Sequence, residues 1–344
     1  MKILVAPLDW GLGHATRCIP VILELIEQGN EVLIAADGNV AHLLKKEFPA
    51  LKFISLKGYN MNYSLHLPMS LSMLLQAPKM LLRIFLEHRK LKIIIRENQP
   101  DAVISDNRYG LWNKRIHSVF ITHQVMIKCP PGLRFLEPLL YFMNKLFISR
   151  FDECWIPDDQ NKISGDLSHA RPLPPNAKFI GILSRWTSIN NSLPRDKYDV
   201  IGIISGPEPY RTSFEKLLIN QFTLTGLRSL IIQGKPAQHT EQKINDRLTV
   251  VSHLDSQELF EMISSATTVI CRSGYSTVMD LVAIKKNAIL IPTPGQTEQR
   301  YLADHLRKRK IFFSMEESKF NLEKAITESK KYSVSNLVDG ETSR

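Results

Sequence analysis

The chain has 344 residues, 44% of them hydrophobic and 23% charged, which is enough for two soluble domains of ordinary size, each with its own core. A formal charge of +10 and a pI near 9.3 invite an anionic partner, but the broad basic face with interleaved aromatics that nucleic acid calls for is not in the pattern. The four cysteines (Cys18, Cys129, Cys154 and Cys271) show neither CxxC spacing nor a paired histidine, which argues against metal and disulfide frameworks and for a reducing cytoplasm.

The apolar opening Ile3 to Leu8 is too short for a signal peptide, and no uncharged apolar run is long enough to cross a bilayer. Ile3 to Pro7 reads as a first strand. The glycine-rich turn GLGHATR, Gly11 to Arg17, then opens a helix whose apolar residues Ile19, Ile22, Leu23 and Ile26 recur at helical spacing. Gly29 ends that helix and Glu31 to Ala36 forms a second strand. Gly11 and Gly13 followed by Asp37 suggest a dinucleotide fingerprint, which fails at the third glycine position, where Thr16 stands.

After a strand at Lys52 to Leu56 comes a long segment, Leu67 to Asn98, rich in Leu, Met and Ile, interrupted by Pro78 and carrying Lys79, Arg83, Arg89, Lys90, Lys92 and Arg96. Such a mixture suits core helices with a solvated basic face, and it also suits an anionic membrane surface. Two further strands, Ala102 to Ser105 and Ser118 to Ile121, end in Asp106-Asn107-Arg108 and Thr122-His123-Gln124, polar clusters able to line an acceptor pocket. Asp106 is either a general base or a simple turn former. An apolar segment, Leu133 to Phe151, precedes the strand Cys154 to Pro157. That strand reaches Asp158 and Asp159, which lack the Asp-x-Asp spacing of metal-dependent transferases and read as a loop.

Residues 161–198 turn rich in Pro, Asn and Ser and read as a linker between a domain at 1–160 and another at 199–314, with a polar tail at 315–344. In the second domain the strand Val200 to Ser205 runs into GPEPYR, Ser229 to Gln233 into Gly234-Lys235-Pro236, and Leu248 to Ser252 into His253 and Leu254. The strand Val269 to Cys271 is followed by a small-residue turn (Arg272, Ser273, Gly274), a helix, the strand Ala288 to Ile291, and a loop into another helix. A helix N-terminus at that turn offers unpaired N–H groups to a phosphate. Asp280 shares a helix face with Thr277, three positions earlier, and its carboxylate suits the two hydroxyls of a ribose. Glu298 and Gln299 suit the hydroxyls of a sugar, so the set describes a nucleotide-sugar site, although a strand, turn and helix of this kind also occur as plain framework. The tail holds one candidate helix, Leu322 to Ser329.

Together GLGHATR, FIGILSR (ending at Arg185) and the stretch Val269 to Ala303 resemble the GT-B glycosyltransferases of the MurG type, glycosyltransferase family 28. The family's RSG turn stands at Arg272 to Gly274, its GxxTxxE pattern at Gly274 to Asp280 with Asp in the acidic place, and its Gln pair at Glu298-Gln299. The resemblance implies an α/β protein of two doubly wound (Rossmann-like) parallel-sheet domains facing a central cleft. It implies a metal-independent, cofactor-free hexosyltransferase that takes sugar from a UDP-linked donor resembling an N-acetylhexosamine. The acceptor would be a glycan or a lipid-linked sugar, at the inner face of the membrane.

Carried onto this chain, the donor side comprises Arg185, Ser205, Gly206, His253, Leu254, Arg272, Ser273, Gly274, Ser276, Thr277, Asp280, Glu298 and Gln299. The terminal Arg185 would neutralise the leaving diphosphate. The family's glycine run is reduced here to Ser205-Gly206, followed by Pro207 and Pro209, which have no N–H to offer a phosphate. The acceptor side comprises Gly11, Gly13, Arg17, Asn107 and His123. Either His14 or Asp106 would activate the acceptor, His14 having the alternative of hydrogen-bonding a phosphate or a loop. Hydrolysis of a nucleotide-sugar, or non-catalytic binding beside a membrane enzyme, are the rival readings.

Overall fold

The computed structural model describes residues 1–59, 75–187 and 198–337. They form two compact units, Met1–Leu183 and Ser184–Arg344.

The first unit is built on seven parallel strands: β1 (Lys2–Pro7), β2 (Glu31–Ala36), β3 (Lys52–Ser55), β4 (Ala102–Asp106), β5 (His117–Ile121), β6 (Glu153–Ile156) and β7 (Ala177–Phe179). Their spatial order is β3-β2-β1-β4-β5-β6-β7. A strand buried on both faces must be apolar at every position, and the period of two sends alternate residues to opposite layers. Ile3, Val5, Val32 and Ile34 pack under α1 (Leu12–Glu27) and α2 (Gly38–Glu47), while Leu4, Ala6, Leu33 and Ala35 pack with Leu91 and Ile94 of α3 (Ala77–Asn98). Of the four apolar residues that marked α1 in the sequence, Ile19 and Ile22 face this core and Leu23 and Ile26 are exposed.

Pro78 opens α3 rather than interrupting it, as proline can where the first-turn N–H groups have no partners anyway. Residues 67–74 of the basic apolar segment lie outside the described residues. Arg108, expected in the polar cluster after β4, is instead fully buried. Its guanidinium donates to Glu87 Oε1 (2.7 Å) on α3, to the carbonyl of Pro7 (2.8 Å) and to that of Leu56 (3.1 Å). Tyr59 Oη donates to the other Glu87 oxygen at 2.9 Å. A buried charge is tolerated only when its donors and acceptors are matched in this way, so Arg108 ties α3 to the ends of β1 and β3.

The segment read as a linker is largely part of the first unit. Residues 161–183 include β7, and Asn176 Nδ2 donates to the carbonyls of Ile148 (3.1 Å), the last residue of α4 (Glu137–Ile148), and Phe151 (2.9 Å). Asp158, fully buried, accepts from the backbone N–H groups of Asp159 and Ile163 and from Ser168 Oγ, which makes it the organiser of its own loop. Of the supposed linker, the described residues Ser184 to Thr187 and Tyr198 belong to the second unit, and 188–197 lie outside the described residues.

The second unit repeats the plan with β8 (Tyr198–Ile203), β9 (Ser229–Ile232), β10 (Glu241–Asn245), β11 (Leu248–Val251), β12 (Ala266–Cys271), β13 (Ile289–Leu290) and β14 (Phe313–Ser314). The order is β10-β11-β9-β8-β12-β13-β14, parallel except for the edge pair β10–β11. Its helices are α5 (Tyr210–Thr223), α6 (Ser256–Ser265), α7 (Tyr275–Ala283), α8 (Thr297–Lys308) and α9 (Leu322–Ser329). The polar tail expected from residue 315 is integral to this unit as far as it is described. Phe320, Leu322 and Ala325 share a core with Phe214 and Phe313, and Leu322 N donates to Gln221 Oε1 at 3.0 Å. Of the tail, 338–344 lie outside the described residues.

Candidate active site

In a doubly wound sheet the crevice for ligands opens where successive strands leave the first strand in opposite directions. In the first unit that point lies between β1 and β4, whose ends are in register at Pro7 and Asp106. In the second it lies between β8 and β12, in register at Ile203 and Cys271. Each unit therefore brings together two loops that the sequence singled out separately.

At the first point the turn after β1 starts with Gly11 at φ +148°, a region that favours glycine, and leads into α1. His14 and Arg17 are one turn apart on α1 and meet Asp106 from β4. His14 Nδ1 lies 2.8 Å from Asp106 Oδ2. Arg17 Nε donates to Asp106 Oδ1 at 2.6 Å, and its Nη1 donates to His123 Nδ1 at 2.6 Å. Arg17 Nη2 also lies 2.7 Å from His14 Nδ1, but that nitrogen has one site and two claimants. A lone pair on it would face the lone pairs of Asp106, so the proton sits on Nδ1 and is donated to the carboxylate, leaving the Nε2 lone pair. His14 and Asp106, read as alternatives, are thus partners.

Burial, and then the Arg17 charge, hold His14 below the ordinary 6.5 against the opposing pull of Asp106. Burial alone would raise the Asp106 carboxyl, yet Arg17 and His14 outweigh it and keep it below the usual range. The result is a neutral imidazole oriented by an ionised carboxylate. Asn107 follows at φ +55° with its Oδ1 buried and without a hydrogen-bond partner, a strained residue of the kind that gathers at functional sites. Gly13, in the same turn, lends its carbonyl to Thr16 Oγ1 at 3.1 Å.

At the second point the predicted donor residues divide into those that face outward and those that brace the loops. Gly206, just beyond β8, is exposed at φ +104°, and Ser205 beside it is partly exposed. The next helix, α5, is not free to take an anion, because Glu208 Oε2 already accepts from the N–H of Thr212 and the same carboxylate is held by Arg211. By contrast α7 begins at Gly274 with no side-chain cap and no acidic residue in its first turn, and nothing crowds the Cα of Gly274. Ser276 and Thr277 lie in that first turn, both partly exposed.

The Arg272 side chain is a correction to the expected donor set. It is fully buried over the ring of Phe214 (4.0 Å), donates to the carbonyl of Tyr210 at 3.0 Å, and pairs with Glu317 at 2.5 Å. Ser273 Oγ donates to the carbonyl of Gln299 (2.9 Å), and Gln299 Oε1 accepts from Thr293 N (2.8 Å), so these two staple the start of α7 to the loop after β13. Glu298, on the first turn of α8, stays partly exposed.

Asp280 also differs from expectation. It is 5% exposed, and its two oxygens are engaged by Ser184 Oγ (2.7 Å) and Arg185 Nε (3.3 Å), so its carboxylate is not presented to a ribose. Burial raises its pKa, with Arg185 and Ser184 pulling the other way. Arg185 is further fixed over the ring of Trp186 at 4.7 Å, whose Nε1 donates to the carbonyl of Ser256 at 2.9 Å. His253 and Leu254, both partly exposed, form the turn between β11 and α6, and a capping box of Asp255 and Glu258 fixes where that helix starts. Thr293 Oγ1 and Gln296 Oε1, on the loop after β13, are buried without hydrogen-bond partners, and Thr293 Oγ1 would lie 3.7 Å from a side chain at Gly206. Neither was singled out in the sequence, although both stand in the same PTPGQTEQ stretch as Glu298 and Gln299.

This arrangement defines a class: a glycosyltransferase of the GT-B fold, with two Rossmann-like α/β domains. Solved structures share the fold over nearly the whole chain. The glycosyltransferase SnogD from Streptomyces nogalater superposes with a TM-score of 0.64 at 14% identity, covering 98% of this chain and 94% of that one. MurG of Acinetobacter baumannii superposes with a TM-score of 0.54 at 14% identity, covering 98% and 92%. More particularly, residues 221–337 match the glycosyltransferase family 28 C-terminal domain, and curated relatives of the MurG type align over most of the chain. An uncharacterized glycosyltransferase of Methanosarcina acetivorans is 23% identical over 322 residues, 87% of this chain and 81% of that protein. The UDP-N-acetylglucosamine–N-acetylmuramyl-(pentapeptide) pyrophosphoryl-undecaprenol N-acetylglucosamine transferase of Pasteurella multocida is 24% identical over 307 residues, 84% of this chain and 77% of that protein.

Proposed function

We propose that the protein transfers an N-acetylhexosamine-like sugar from a UDP-linked donor to a hydroxyl of a lipid-linked acceptor, with His14 as the general base. The observation that carries the reading is the His14–Asp106 pair at the switch point of the first unit. Asp106 holds the imidazole in the tautomer whose Nε2 is free to take the acceptor's proton, and Arg17 keeps Asp106 ionised while clamping it in place. The acceptor oxygen then forms a bond to the anomeric carbon as the bond from that carbon to the diphosphate oxygen breaks. Charge accumulates on the departing diphosphate, so fixed donors and cations aimed there lower the barrier. Arg185, held by Asp280, and the uncapped N-terminus of α7 supply them, with Ser205 and Gly206 approaching from the other side of the switch point. Asp280 becomes a positioning residue rather than the ribose clamp.

The lipid-linked acceptor and a place at the membrane surface are supported by an apolar face on the first unit. Leu81, Leu82 and Phe85 of α3 are exposed, as are Phe135 (74%) and Leu139, Phe142 (58%) and Leu146 on and just before α4. Phe147 of α4 and Met80 of α3 pack against the same buried cluster of Leu8, Tyr59 and Ile84, so both helices border it. A face of this size flanked by Arg83, Arg89 and Lys90 suits the boundary of an anionic bilayer. No described helix is long and apolar enough to cross a membrane.

The test is a panel of nucleoside diphosphates and their sugars screened by thermal shift, followed by product analysis with each stabilising donor and a lipid-linked acceptor extract. Sugar transfer from a UDP-linked donor, abolished in His14→Ala, is expected. Release of free sugar at the same rate with and without acceptor would instead make the protein a hydrolase.

A further inference from the structure

Away from its own switch point, the first unit carries an open groove of about 430 Å³ between α3 and the segment joining β4 to β5. Its walls are His88, Lys92 and Ile95 from α3 and Trp112, Lys114 and Arg115 from the joining segment. No carboxylate lines it, and among the described residues none pairs with Lys92, Lys114 or Arg115. Trp112 is fixed from two sides: His88 stacks on it at 4.4 Å, and the Arg150 guanidinium lies 5.6 Å from its ring centre. His88 is fixed in turn, its Nδ1 donating to the carbonyl of Gly110 at 3.2 Å. Cations gathered around a concavity without counter-charges repel one another, and the cost is relieved when an anion enters. The rigid aromatic wall favours an anion with an adjoining apolar or polyol part to lie against it.

We propose that this groove is a binding site for a phosphate ester, separate from the transfer site. Lys92, Lys114 and Arg115 hold the phosphate oxygens, and Trp112 and Ile95 contact the group esterified to it. Such an ester is either a soluble metabolite or the headgroup of an anionic lipid, and the two are told apart by experiment. The proposal stands apart from the transfer reaction, since none of its residues belongs to the donor or acceptor machinery.

The test uses the full chain and the part of its fluorescence that Trp112→Phe removes, which excludes phosphate bound at the donor site. Titrants are inorganic phosphate and glycerol 1-phosphate at constant ionic strength, and vesicles of phosphatidylglycerol or of phosphatidylcholine. A saturable Trp112-dependent change is expected with phosphate compounds and not with phosphatidylcholine. The half-saturation point should rise roughly tenfold or more in Lys114→Ala/Arg115→Ala, with the melting temperature and transfer rate unchanged. Saturation by phosphatidylglycerol vesicles at far lower phosphate than by glycerol 1-phosphate assigns the lipid, and parity assigns the soluble ester. No saturable Trp112-dependent change with any titrant, or a double variant that titrates as the parent does, overturns the proposal. Loss of transfer in His14→Ala leaves it untouched.

Discussion

Replacing Asp106 with Asn removes a charge and almost no volume, and it tests the base assignment at its root. Arg17 points Nε at Oδ1, so the variant amide must turn its oxygen toward the guanidinium and its NH2 toward His14. Nδ1 must then accept instead of donate, the proton moves to Nε2, and the nitrogen meant to take the acceptor's proton is occupied. General-base catalysis is worth roughly 10²–10⁴-fold, or about 3–5 kcal/mol of barrier, and most of it should vanish. The assay is nucleoside diphosphate release with saturating donor and acceptor between pH 5 and 9. In the parent, kcat/KM should fall as the pH drops through the His14 pKa, which burial and Arg17 place below 6.5. In Asp106→Asn, kcat should fall at every pH while KM for donor changes little. A parent-like kcat and acid limb in both Asp106→Asn and His14→Ala would refute the reasoning.

Stability should follow the same groups. Both His14 and Asp106 have folded pKa values below their ordinary ones, so the stability they contribute is present above those ordinary values and is lost as pH falls through the folded ones; chemical denaturation at stepped pH reads this as a lower midpoint in acid. Glu87→Ala should cost about 3–5 kcal/mol by leaving Arg108 buried and unpaired, measured by urea unfolding, with kcat per folded molecule unchanged. Arg185→Ala should lower kcat by roughly 10²-fold, and Asp280→Asn by less, since the latter frees the guanidinium without removing it; steady-state kinetics separate the two. Phe135→Asp with Phe142→Asp should abolish sedimentation with phosphatidylglycerol vesicles and leave the melting temperature within a few degrees, because both side chains are already exposed.

The strands were legible because strands buried on both sides are apolar throughout, and the turns that follow them because glycine and polar residues cluster there. The three strands that went unread, β7, β10 and β14, are three, five and two residues in their elements and carry no such run: β10 is Glu-Gln-Lys-Ile-Asn, exposed at every position. The linker was placed too early because Pro, Asn and Ser between 161 and 183 look like solvent-facing chain, when Asp158 and Asn176 are using them to build a packed loop. At the site, residue types were readable and partnerships were not. His14 and Asp106 are 92 positions apart, and only the register of β1 with β4 brings them within 2.8 Å. Arg272 and Asp280 show the converse error. A charged residue in a motif suggests a ligand, while Glu317, in the segment read as a polar tail, and Ser184, inside the supposed linker, already satisfy those charges.

The Glu208 carboxylate at the head of α5 has a further consequence. It already occupies, with a negative charge from the chain itself, a place an incoming anion would otherwise compete for, so the second unit offers a diphosphate one welcoming helix rather than two. Under the proposed transfer, the helix dipole that meets the diphosphate is then that of α7, and the α5 side contributes through Ser205 and Gly206 rather than through its helix N-terminus.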